Sequence, residues 1–63
     1  MEKTVVLTVE MSEDQAEAYS QFLKRAGLSA YRQLAATDDE AYTMQAAGEK
    51  LIKAFADAGY SPR

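Results

Sequence analysis

Three polar groupings in this chain have residue types and spacing that could do chemistry. Asp38, Asp39 and Glu40 are consecutive carboxylates. Oxygen ligands of that kind suit Mg²⁺ or Ca²⁺, and the same run could imitate nucleic-acid phosphates. Lys24, Arg25 and Arg32 gather around Gly27, with Tyr31 between them, as an anion or nucleic-acid contact would. Ser12, Ser20, Ser29 and Ser61 are the hydroxyl candidates for a nucleophile. Each grouping meets a plainer reading. Acids at a helix start and bases at a helix end complement the helix dipole. No glycine-centred calcium loop surrounds the acids, so no metal site is expected. The chain has no His and no Cys, which leaves the serines without their usual base and removes thiolate ligands. Gly27, Gly48 and Gly59 lie too far apart to form a phosphate loop. A domain this short cannot readily enclose a pocket of about 300 Å³ or more. The chemistry expected is therefore binding, with no catalytic residue and no cofactor.

The elements that position these residues follow from periodicity and caps. Residues 3–11 alternate and are rich in β-branched side chains, which predicts a β-strand centred on Val5, Val6, Leu7, Thr8 and Val9. Val5, Leu7, Val9 and Met11 would share one face. Ser12 with Gln15 three residues on predicts a capping box. A helix follows, with Ala16, Tyr19, Phe22, Leu23 and Ala26 at helical spacing. Tyr19 and Tyr31 read as core. Lys24 and Arg25 close that helix, and Gly27 is expected as its left-handed cap. Ser29 would then cap a short helix over 30–36, anchored by Tyr31 and Leu34. Thr37 with Glu40 predicts a second capping box. It opens a long helix to about Ala58, buried along Ala41, Met44, Gly48, Leu51, Ile52 and Phe55. Glu49 and Lys53 form a favourable i,i+4 pair. Gly48, mid-helix on the buried face, predicts close approach of another helix, since glycine there costs about 0.8–1.0 kcal/mol relative to alanine. Gly59 and Pro62 end the helix.

The architecture expected is α+β: an N-terminal strand, a helix, a short helix and a long helix, in one domain over residues 1–63. A lone strand must pair with something. Its own copy across a two-fold axis would give an antiparallel two-stranded ribbon and a homodimer; the alternatives are addition to the edge of a partner's sheet and an extended arm packed on the helices. Size argues the same way: a domain of about 60 residues is marginal without a disulfide, metal or oligomer. Ten acidic and seven basic residues leave a net charge of −3, which disfavours nucleic acid without excluding it. The start Met1-Glu2-Lys3-Thr4 does not read as a signal peptide. The longest apolar run, Val5-Val6-Leu7, is far too short to span a membrane, so a cytoplasmic protein is expected.

Two resemblances add context. Residues 5–34, with the Val9-Glu10-Met11-Ser12-Glu13-Asp14-Gln15 entry and the Ala26-Gly27-Leu28-Ser29 turn, resemble ribbon-helix-helix proteins. That likeness implies a DNA-binding regulator reading the major groove through Thr4, Val6, Thr8 and Glu10. The face departs from the family: it has no Arg, Lys, Asn or Gln to grip base edges. Residues 19–63 resemble a family of small uncharacterised proteins from proteobacteria and their phages. The likeness rests on Phe22-Leu23-Lys24-Arg25-Ala26-Gly27, Tyr31-Arg32, Asp38-Asp39-Glu40-Ala41-Tyr42-Thr43-Met44 and Ala58-Gly59-Tyr60-Ser61-Pro62-Arg63. By analogy of size, charge and context, it implies an inhibitor of host defence such as an anti-CRISPR protein. The expectation is a non-enzymatic protein-binding module with a host protein as partner, through Asp38, Asp39, Glu40, Tyr42 and Glu49. The alternative is the DNA-binding regulator, through Lys24, Arg25 and Arg32.

Overall fold

The computed structural model describes residues 3–60. The starting Met1-Glu2, Ser61 and the expected stop at Pro62 lie outside the described residues. Three helices follow in order: α1 (Glu13–Arg25), α2 (Leu28–Leu34) and α3 (Asp38–Asp57).

The caps explain where α1 and α3 begin. Ser12 accepts from the Gln15 N–H at 3.1 Å, and the Gln15 side chain accepts from the Ser12 N–H at 2.9 Å. Both halves of the capping box therefore form. At α3, Thr37 accepts from the Glu40 N–H at 3.1 Å. The Glu40 carboxylate reaches one residue further back than a capping box requires, to the Ala36 N–H at 3.1 Å. The far end of α3 closes in a Schellman arrangement. Tyr60 N–H donates to the Phe55 carbonyl at 2.8 Å and Gly59 N–H to the Ala56 carbonyl at 3.0 Å. Gly59 has φ +100, which a side chain would strain.

Three expectations are corrected here. The first is the fold class. Among the described residues the chain is all-helical, and residues 3–11 form no strand. Without a strand there is no ribbon, so the dimer through Val5, Val6, Leu7, Thr8 and Val9 is overturned with it. The physical reason is pairing. β-structure exists only as a ladder of backbone hydrogen bonds, and this chain offers one strand-patterned segment with no second one to bond. The second correction is Gly27. Its φ is −96 and ψ 179, an extended residue that serves as N-cap of α2, not a left-handed cap of α1. The third is the short helix. The Ala30 and Tyr31 N–H groups already donate to the Gly27 carbonyl, so the first turn starts at Leu28, ahead of Ser29. The helix also ends at Leu34, and Leu34 is no anchor: it is 83% exposed.

α3 is the central element. α1 and α2 each pack against it and not against one another. The whole is a slab 33 × 28 × 16 Å. A helix with its side chains is about 10–12 Å across, so this slab has little depth in which to bury anything. The buried apolar residues are Ala16, Leu23 and Ala41, joined by Ser20 and Gly48. Ser20 satisfies its hydroxyl by donating to the Glu17 carbonyl at 2.8 Å. Gly48 is where both neighbours meet α3: a Cβ there would collide with the Tyr31 hydroxyl and lie 3.9 Å from Leu23. The close approach expected from sequence is thus made by α1 and α2 together.

Candidate functional site: an apolar groove along α1 and α3

An apolar groove lies between the N-terminal segment, α1 and the second half of α3. Its volume is about 820 Å³. It is lined by Leu7 and Val9 of the N-terminal segment, Tyr19 of α1, Leu51 and Phe55 of α3, and Tyr60 just past α3. Glu10 is the one charged residue among those lining it. A second hollow, edged by Phe22, Gln15 and Ala18, shares Met11 and Tyr19 with the first, so the apolar surface is continuous. The aromatic rings form a run along it: Tyr19 and Phe22 have centroids 5.2 Å apart, and Tyr19 and Phe55 6.2 Å. Both separations fall within the roughly 4.5–7 Å at which aromatic pairs attract. The groove is wider than the chain's length suggested, because it is open rather than enclosed.

Local sequence explains why these side chains stay uncovered. On α1 the apolar positions form two flanks. Ala16, Ser20 and Leu23 face α3 and are buried. Tyr19 and Phe22 fall on the neighbouring flank, and Phe22 is 52% exposed. One helix neighbour cannot cover both flanks. On α3 the same happens at Leu51, 42% exposed beside the half-buried Ile52. The N-terminal segment is more open still, with Val6 at 86%.

The residues singled out for chemistry are placed elsewhere. Asp38 pairs with Arg32, Oδ1 to Nε 3.6 Å. Arg32 also donates to the Tyr42 hydroxyl at 3.5 Å, with its guanidinium carbon 6.0 Å from the ring centroid. Arg32, Asp38 and Tyr42 are therefore one cluster at the α2–α3 junction. Glu40 is occupied by its cap, and the Asp39 carbonyl accepts from the Thr43 hydroxyl at 2.9 Å. Among the described residues no group of acidic side chains is placed to hold a metal ion. Glu49 is exposed on the outward face of α3, as is Tyr42. Glu49 and Lys53 are not within ion-pair distance, and the ion pair among the described residues is Arg32–Asp38. Lys24 and Arg25 stay exposed at the end of α1. Arg32 does not join them as a free cation, because Asp38 answers its charge.

Tyr19, Leu51, Phe55 and Tyr60 in the groove, with Phe22 in the adjoining hollow, are among the residues that sequence reasoning left out of its candidate sites. Tyr19 and Leu51 read as core. The signal available was the breadth of the α1 stripe, which is more than one neighbour can bury. Among the described residues no helix is long and apolar enough to cross a membrane.

A family model described as a family of unknown function, DUF7706, matches residues 1–63. No curated protein and no solved structure matches the chain.

Proposed function

We propose, for a chain that belongs to the DUF7706 family of unknown function, that it is a non-enzymatic protein-binding module and that its apolar groove is the docking surface. The observation that carries this reading is the uninterrupted exposed apolar surface from Leu7 and Val9 across Tyr19 to Leu51 and Phe55. Exposed patches of this kind, rich in aromatic side chains, are typical of protein interaction sites. The groove brings no nucleophile and base together, and its one charged wall residue, Glu10, suits neither phosphate nor nucleic acid. The acidic helix start is the weaker candidate, since Asp38 and Glu40 are already engaged within the chain. Inhibition of a host defence system carried by a phage or mobile element is a narrower form of the same proposal: occupancy of the groove would have to suppress the partner's activity.

Photo-crosslinking tests the docking surface. Phe22 is replaced by p-benzoylphenylalanine, with Lys50, exposed on α3 and outside the groove lining, as the control position. Illumination in cells is expected to give a discrete protein adduct from position 22 and none from position 50. No adduct from position 22, or equal adducts from both, would remove the groove as a docking surface.

A further inference from the structure

We infer that the occupant of the groove is a second copy of this chain, docked face to face through α1 and α3 with each copy's Leu7–Met11 segment held between them. This rests on the reading of the groove as a docking surface and names its partner. The contact is side chain against side chain and requires no strand pairing.

The area supports it. The chain exposes 5567 Å². A folded monomer of its 6.9 kDa is expected to expose about 4,000 Å². The difference, roughly 1,500 Å², exceeds the ~800 Å² per partner that a standard stable interface buries. The core supports it too. Ala16, Leu23 and Ala41 are the buried apolar side chains, and none is larger than leucine. Burial stabilises by roughly 25 cal/mol per Å² of apolar surface, and the large side chains of Val5, Val6, Leu7, Val9 and Phe22 still face water. A heterologous partner would have to meet a chain not yet stabilised, whereas a second copy is present whenever the first is made. The groove also meets the condition for a two-fold contact, that one patch must complement itself. It does so by being apolar and aromatic, with a single charge in its lining. The N-terminal segment fits the same picture. Leu7, Val9 and Met11 line the groove of their own chain, while Val6 is not among its walls and is 86% exposed. Leu7 and Val9 are themselves 78% and 68% exposed, so a second copy would cover apolar side chains that their own chain leaves open.

Sedimentation equilibrium and thermal melts over a dilution series test this on the intact chain. The expected result is a mass of twice the chain in the micromolar range, with a Tm that falls on dilution, because dissociation is coupled to unfolding. Leu51→Glu alters an exposed groove position and Phe22→Glu an exposed position of the adjoining hollow, and each is expected to weaken the dimer by about tenfold or more, as loss of an interface anchor does. Lys50→Gln is expected to leave it unchanged. A folded monomer with a Tm independent of concentration would overturn the inference. So would a chain that stays unfolded throughout the series, or a dimer indifferent to both glutamate substitutions. Failure here is distinguishable from failure of the binding reading. A monomer that still gives an adduct with a different protein from position 22 removes the second copy and keeps the docking surface, while absence of any adduct removes both.

Discussion

Gly48 shows how one residue type reports a packing event. Alanine normally stabilises a mid-helix glycine position by about 0.8–1.0 kcal/mol. Here the Cβ would meet the Tyr31 hydroxyl, with the ring carbon Cζ at 3.3 Å. Gly48→Ala is therefore expected to lower stability in chemical denaturation, against the helix propensity. Tyr31→Phe removes the worst of the clash and leaves the Cζ contact, so Gly48→Ala should cost less in the Tyr31→Phe background than alone. Additive effects in that cycle would show that Tyr31 does not set the limit. Arg32 and Asp38 teach the opposite lesson. They are six residues apart across a break between helices, so neither helical spacing nor composition links them. The pair is exposed, 49% and 75% at the two side chains. Asp38→Asn should accordingly change stability by less than ~1 kcal/mol, the range of surface ion pairs.

At the scale of elements, the caps carry the information. Ser12 and Gln15 close a complete box, and Thr37 caps α3 through its own hydroxyl. Ser12→Ala and Thr37→Ala should each cost about 1 kcal/mol, read as a shift in the denaturation midpoint with an unchanged slope. Gly59→Ala places a Cβ on a residue with φ +100 and should cost about 1–2 kcal/mol. It should also loosen Tyr60 from the groove, since the Tyr60 N–H bond to Phe55 belongs to the same turn. These features were legible in the sequence because they are local: donor, acceptor and backbone angle lie within six residues. The α1–α2 connection was not legible in the same way. Glycine tolerates both left-handed and extended backbone, so Gly27 alone did not say whether it ended one helix or began the next.

For the whole molecule, exposure and charge decide between the functional readings. Arg32 is matched by Asp38, which leaves Lys24 and Arg25 as the exposed cations of the proposed basic cluster. Net charge is −3. Binding to random-sequence duplex DNA is expected to be undetectable even at low salt. DNA binders show non-specific affinities of ~10⁻⁴–10⁻⁶ M at physiological salt, which strengthen as salt falls. Salt-sensitive binding would restore the regulator reading and point to Lys24 and Arg25.

The sequence by itself determined α1 and α3, both helix entries, the buried run through Ala41 and Gly48, and the outward placing of Tyr42 and Glu49. Each rests on a period of 3.6 residues or on a side chain bonding its own backbone, and both act within a few residues. Tertiary structure decided the rest. Residues 3–11 carry a strand pattern, but whether a patterned segment becomes a strand depends on a ladder partner that this chain lacks. Tyr19, Phe22 and Leu51 carry a core pattern, but periodicity records only that a face is apolar. Whether that face is buried depends on how many neighbours reach it, and here α1 and α2 both spend themselves on α3. The flank they leave bare is the groove.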